Sequence, residues 1–317
     1  MESAKNKLQG VFPRFSRLAW FVLAYTAIVG LWGAYVRATG SGAGCGAHWP
    51  LCNGEVIPRP ESVATWIEFS HRLSSGLDLI LVAILAVWAW RAFPPGHRVR
   101  LGAALSSLFI VTEALLGAGL VLFELVAQDV SLTRVFSMAL HLVNTFLLLA
   151  SLTLTAFWAS GFVGSRERPP WQLVVGALGI LLVGVSGAVA ALGDTLFPAS
   201  SLAEGMSQTW QSTSHLFLRL RAFHPLFAVV FGLWVVITAL AFLRRPPPLG
   251  PLAIATVSLV GIQIAAGIIN LALLAPVSMQ IGHLALAYAL WITQVLLIDA
   301  STMEAAIGDE ISSLNSY

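Results

Sequence analysis

Eight apolar runs constrain this chain more than any other feature, near residues 18–36, 65–90, 101–123, 133–158, 172–192, 216–243, 251–273 and 277–299. About 20 residues at a rise of about 1.5 Å each suffice to cross a bilayer. Inside hydrocarbon a backbone group has no water to pair with, so the runs are predicted to be helices. The 317 residues are 57% hydrophobic and 10% charged, against about a quarter charged in a soluble domain. An all-α integral membrane protein is therefore expected. A net charge of +2 gives no reason to look for a nucleic-acid partner. Lys5, Lys7, Arg14 and Arg17 precede the first run, whose roughly 19 apolar residues exceed a secretion signal's core, so it is expected to be a retained span. No long Arg/Ser-rich transit segment precedes it, which favours a bacterial or archaeal cell membrane over an organelle.

Lysine and arginine placement sets the orientation. The N-terminal tail, "RAFPPGHRVR", "GSRERPP" and "RRPPP" share one side and hold eleven of the 17 cations. That side, with both termini, is predicted to be cytoplasmic. Glu304, Asp309 and Glu310 share it, but acids carry little weight in this rule. The six cations on the exterior side are all arginine: Arg37, Arg59, Arg72, Arg134, Arg219 and Arg221. A guanidinium suits carboxylates and phosphates alike, so lipid headgroups and the carboxylates of a bound ligand are both open as partners.

Cys45 and Cys52 both lie in the exterior stretch "TGSGAGCGAHWPLCNG". In an oxidising compartment they can close a small disulfide ring, contributing roughly 2.5 kcal/mol through loop entropy if unstrained. A structural bridge that stiffens a lid is the expected role. A redox-active pair is the alternative, although no neighbour visibly lowers a thiol pKa.

The two halves of the sequence repeat. Gly33 aligns with Gly187, His71 with His224, Gly117 with Gly267 and His141 with His283. Four helices therefore occur twice in one membrane orientation, a parallel repeat about an axis along the membrane normal. Two pseudo-twofold-related four-helix bundles are predicted, with boundaries at 1–163 and 164–317. The four histidines fall about 9 to 14 Å below the exterior ends of their helices.

Ionisable groups within spans are rare and usually line a functional interior. A single histidine there can serve an interhelical hydrogen bond. Four matched ones give each bundle two facing imidazoles, which is what bis-histidine haem ligation needs. Outer arginines near haem propionates fit the same picture. Zinc fits less well, since its sites use three or four clustered ligands; packing without a metal is the remaining reading. His48 and His97 are expected to be solvated and His215 interfacial.

"EFSHRL" places Glu68 one turn outside His71 on the same helix face, where the other half has Arg221. Glu68 is expected to handle protons or position substrate, marking the N-terminal half as the reactive one. Attraction to a helix N-terminus is the plain alternative. Asp78, deeper on that face, and Glu113, which aligns with Gln263, are each open between a proton path and a buried structural bond.

The run from "RATGSGAGC" through "HWPLCNG" to "EFSHR", with the eight spans and four histidines, resembles the haem A synthase family over almost the whole chain. Two places depart from that family's pattern: "GAH" stands before Trp49 where an aspartate is usual, and Pro225 follows His224 where an arginine is common. The resemblance implies oxidation of the C8 methyl of haem O to a formyl group, giving haem A for terminal oxidases. It implies that His71 and His141 hold substrate haem O, while His224 and His283 hold a permanent haem b. Glu68 would assist at the reacting site beneath a Cys45–Cys52 disulfide. Partners would be an electron donor not yet identified, a haem O synthase delivering substrate, and further copies of the chain. A di-haem b cytochrome that only moves electrons is the competing reading, and it gives Glu68 and the cysteine loop no task. A parallel-repeat transporter leaves the histidines unexplained.

Overall fold

The computed structural model describes residues 2–59, 62–162, 168–211 and 215–314, with side chains described from residue 13 to residue 302 within those ranges. The 163/164 boundary, Arg166 and the side chains of Lys5, Lys7, Glu304, Asp309 and Glu310 lie outside the described residues.

The helices are α1 (Glu2–Ala38), α2 (Val63–Ala92), α3 (Arg98–Leu122), α4 (Leu132–Ala159), α5 (Trp171–Leu196), α6 (Leu202–Trp210), α7 (Leu216–Leu220), α8 (Phe223–Leu240), α9 (Leu249–Ala272) and α10 (Val277–Leu314). Eight segments among them are long and apolar enough to cross a membrane, and each predicted run coincides with one. Starts are set by side chains that accept orphan backbone N–H groups. Ser62 accepts from the Thr65 amide at 3.2 Å, and Ser131 from that of Arg134 at 3.1 Å.

The predicted run 216–243 is not one continuous helix. A turn at Arg221 and Ala222 separates α7 from α8, and helix ends at Leu240. The cause is Pro225, which has no N–H and whose ring would clash with the Arg221 carbonyl in an unbroken helix. In the first turn of a new helix neither penalty applies. The nine-residue α6 was not among the predicted elements.

Packing sorts the spans into two sets. Within the first, α1 meets α2 and α4, and α3 meets α2 and α4; within the second, α5 meets α8 and α10, and α9 meets α8 and α10. Between the sets, α1 and α4 each meet α5 and α10. Exchanging α1 with α5, α2 with α8, α3 with α9 and α4 with α10 maps this pattern onto itself, as a pseudo-twofold axis requires. The protein is thus a multi-pass membrane protein of two related four-helix bundles.

Within lipid, helices associate through close packing and interhelical hydrogen bonds rather than a hydrophobic drive. Phe146 is buried between the bundles against Tyr288, with ring centroids 5.6 Å apart, and the Trp291 indole donates to its carbonyl at 2.7 Å. On the face that carries the cysteine loop, Arg37 crosses from α1 to donate to Ala191 O and Thr195 Oγ1 of α5 and to Gln280 Oε1 of α10, at 3.1, 3.0 and 2.8 Å. On the opposite face, Asp299 of α10 accepts from the Trp158 indole at 2.9 Å and lies 3.8 Å from Arg98 Nη1. Ile28, Leu101, Ile237 and Ile268 point outward and are exposed, as side chains that meet lipid should be.

Candidate functional site

His71, His141, His224 and His283 stand on α2, α4, α8 and α10, six to nine residues in from the cysteine-loop ends of their spans. Each ring rests against a glycine of the preceding span. A methyl group built on Gly33 would lie 3.0 Å from His71 Cε1, on Gly187 2.9 Å from His224 Cε1, on Gly267 3.2 Å from His283 Cε1, and on Gly117 3.7 Å from His141 Nε2. These are the glycines and histidines that the repeat puts in register. At Gly33, Gly187 and Gly267 the missing side chain gives the imidazole its seat, while at Gly117 a methyl group would make ordinary contact.

The His224 and His283 rings face each other across their bundle with centroids 6.3 Å apart. Metal–imidazole bonds of about 2.0–2.1 Å, with about 1 Å from nitrogen to ring centre, put two rings that share a metal about 6 Å apart. The pair fits that spacing. His224 Nδ1 lies 3.2 Å from both Val183 O and Ser186 Oγ. A proton on Nδ1 shared with that carbonyl leaves Nε2 as the lone-pair donor, the arrangement usual for metal-binding histidine. His283 Nε2 lies 3.3 Å from the Gln263 amide nitrogen. Nδ1 of His71 and of His283 is buried without a hydrogen-bond partner, and buried polar atoms left unpaired call for a ligand or a function; Nδ1 of His141 lies 3.2 Å from Glu113 Oε1. Among the described residues no group of three or more His, Cys, Asp or Glu converges. Each bundle offers two imidazoles rather than a cage, and two imidazoles are what an axially ligated haem takes.

Above His71 the site is closed by the cysteine loop. Cys45 and Cys52 are joined by a disulfide, with Cα atoms 4.4 Å apart. The Cys45 amide donates to Glu68 Oε2 at 2.8 Å. Arg72 donates to Glu68 Oε1 through Nη2 at 2.5 Å and Nε at 3.2 Å, and through Nη1 to the His48 and Leu51 carbonyls. Thr65 Oγ1 ties the Gly44 carbonyl to the start of α2 at 2.8 Å. Glu68, 3% exposed, is thus a buried carboxylate held by an opposite charge and a backbone amide, which together offset the large cost of burying it alone. Gly44 makes the approach feasible, since a Cβ there would meet the Ala64 carbonyl carbon at 2.5 Å.

The equivalent position in the other bundle reverses the charge. Arg221 pairs with Asp194 at 2.9 Å, donates to Thr209 Oγ1 at 2.7 Å, and binds the Gly205 carbonyl of α6. Arg134 is buried and donates to the Ala127 and Asp129 carbonyls at 2.8 and 2.7 Å. Four of the six arginines on this side, Arg37, Arg72, Arg134 and Arg221, therefore donate to acceptors within the protein.

The remaining candidates are placed as follows. Asp78 is buried and accepts from Thr26 Oγ1 at 2.8 Å, which links α2 to α1. His48 is exposed. His97 is not simply solvated: its Nδ1 accepts from the Val99 amide at 3.2 Å as the cap of α3, and partial burial lowers its pKa below the usual imidazole value. His215 caps α7, with its ring 4.3 Å from that of Phe217 and 5.1 Å from that of Phe197. Glu113, left open by the sequence, stands against His141 at 3.2 Å.

Fold and site together define a multi-pass membrane protein with two quasi-equivalent histidine pairs, one of them beneath a disulfide-closed carboxylate. Residues 16–295 match the model of the cytochrome oxidase assembly protein family, COX15-CtaA. The chain belongs to this family, that of the haem A synthases. It is 51% identical over 303 residues to a protein of Thermus thermophilus called protoheme IX farnesyltransferase, a match covering 93% of this chain and 50% of that protein. It is 42% identical over 147 residues to the heme A synthase of Halalkalibacterium halodurans, 46% of each chain. With the heme A synthase of Lysinibacillus sphaericus it shares 35% over 179 residues, 54% of this chain and 57% of the other. The chain thus spans about half the length of the curated relatives it matches.

Proposed function

We propose that the protein is a haem A synthase, a cell-membrane oxidoreductase that converts the C8 methyl of haem O to a formyl group. The observation that carries this reading is the asymmetry between matched halves. Both seat a pair of imidazoles on glycines, but only the N-terminal one has a buried carboxylate a turn above its histidine, held by the cysteine loop. Residues 1–163 take haem O between His71 and His141. Residues 164–317 hold haem b between His224 and His283. The lysine and arginine distribution supports cytoplasmic termini and an exterior cysteine loop.

A bound haem iron supplies the one-electron chemistry. The chain's own residues do the rest. The Val183 carbonyl fixes the ring plane and tautomer of His224. The disulfide loop is pinned over Glu68 by Thr65 and Arg72. Glu68 accepts a proton released as the methyl is oxidised, while Arg72 and the Cys45 amide hold its two oxygens in place.

The Thermus relative supports a partner. That protein is about twice as long as the match, and the matched part carries the cytochrome oxidase assembly family signature here. We read its farnesyltransferase name as belonging to the unmatched part. A chain joining the two supports direct delivery of haem O from the enzyme that makes it.

Purified protein supplied with haem O, dioxygen as the oxidant and a chemical reductant in place of its electron donor should yield haem A on extraction and chromatography. Bound haem O recovered unchanged under those conditions would point instead to a cytochrome that only transfers electrons. The glycine seats give a graded test. Gly187→Ala displaces the His224 ring and should weaken haem b retention about tenfold, whereas Gly117→Ala, at ordinary contact distance from His141, should leave N-terminal haem binding close to wild type. Equal losses in both variants would contradict the seat geometry.

A further inference from the structure

We infer that Glu113 is a positioning residue: it polarises His141 and lowers the potential of the N-terminal haem. The inference rests on the ligation reading above and concerns residues that separate the two otherwise matched halves.

Glu113 projects from α3 so that Oε1 lies 3.2 Å from His141 Nδ1. Both of its oxygens are held from α4, one turn deeper than His141. Oε1 accepts from the Thr145 hydroxyl, and Oε2 accepts from Asn144 Nδ2 at 2.6 Å. Asn144 is itself fixed, because its Oδ1 accepts from Thr112 Oγ1 at 2.6 Å and its amide also donates to the Phe109 carbonyl at 2.8 Å. Three side chains, Thr145, Asn144 and Thr112, thus aim one carboxylate oxygen at a ring nitrogen that has no aligned partner. A slight ring rotation aligns an Nδ1–H···O bond.

A carboxylate on the far nitrogen of a ligating imidazole raises the basicity of the other nitrogen and lowers the potential of the metal it binds. His283 of the C-terminal half has no carboxylate at the matching position. Gln263 replaces Glu113, and its neutral amide sits 3.3 Å from His283 Nε2 and donates to the His283 carbonyl at 3.1 Å. A polarising anion on one fourth-helix histidine and an amide on the other is a built-in difference between two like sites.

The test is a spectroscopic redox titration of the full-length protein with haem in both halves. Glu113→Gln keeps shape and can retain bonds to Asn144 and Thr145, so it isolates the charge. Its N-terminal haem should shift to higher potential with the C-terminal haem unmoved, and Glu113→Asp should move it part of the way back. Gln263→Glu should shift the C-terminal haem to lower potential. An unmoved potential in both Glu113→Gln and Gln263→Glu, with both haems bound, would overturn the inference alone. Absence of an N-terminal haem from the wild-type protein would overturn the ligation reading beneath it.

Discussion

Glu68→Ala is expected to cut conversion of haem O to haem A by about 10²–10⁴-fold, the range for loss of a positioned acid or base, while the haem b spectrum persists. The persistence matters as much as the loss. Glu68 lies in the N-terminal bundle, tied to Arg72 and the cysteine loop, and has no contact with the His224–His283 pair. Alanine also strands Arg72, which is largely buried, and leaves the Cys45 amide without its acceptor, at a cost of about 3–5 kcal/mol for a broken buried pair. Part of the alanine effect is therefore a loosened loop. Glu68→Gln separates the two contributions, because glutamine keeps an acceptor for the Cys45 amide but cannot take a proton. Wild-type turnover in Glu68→Gln would rule out the proton role, and disappearance of haem b in either variant would contradict the division of labour between halves.

His224→Ala should abolish the low-spin haem b signal, whereas His71→Ala should leave it intact. The prediction follows from pairing: His224 faces His283 across 6.3 Å within one bundle, and the N-terminal histidines lie in the other. A ligand removed from a two-ligand site leaves a single axial bond, so the low-spin haem b signal should vanish rather than weaken. An unchanged signal in His224→Ala counts against ligation at that residue.

Much of this architecture is legible in the chain because the bilayer restricts the alternatives. Backbone polar groups in hydrocarbon force helices, so eight apolar runs give eight spans. The repeat then pairs Gly33 with Gly187 and His71 with His224, and in three dimensions each aligned glycine seats its aligned histidine. The less legible features depend on how each helix is rotated about its axis, which apolar periodicity leaves loose when both lipid and core are greasy. Asn144 and Thr145 reach Glu113 from a neighbouring helix, and Arg37 reaches across to α5 and α10; no local spacing announces either.

Two other features were written in the sequence and needed a closer local reading. Glu68 and Arg72 are four residues apart, the spacing of a helical ion pair, yet Arg72 grouped naturally with the outer arginines. Pro225 marks the break before α8, but the apolar run continues through it and masks the interruption. The reversal from Glu68 to Arg221 is visible in the repeat, while its consequence, an arginine bound to Asp194 and α6, required the folded segment between α5 and α8.

Electron paramagnetic resonance of the oxidised protein, with haem quantified per chain after supply of haem b and haem O, tests haem ligation by the two histidine pairs most directly. Two low-spin haems per chain with bis-imidazole signatures are expected, one lost in His71→Ala and the other in His283→Ala. One haem per chain, or two signals that neither substitution removes, would contradict it.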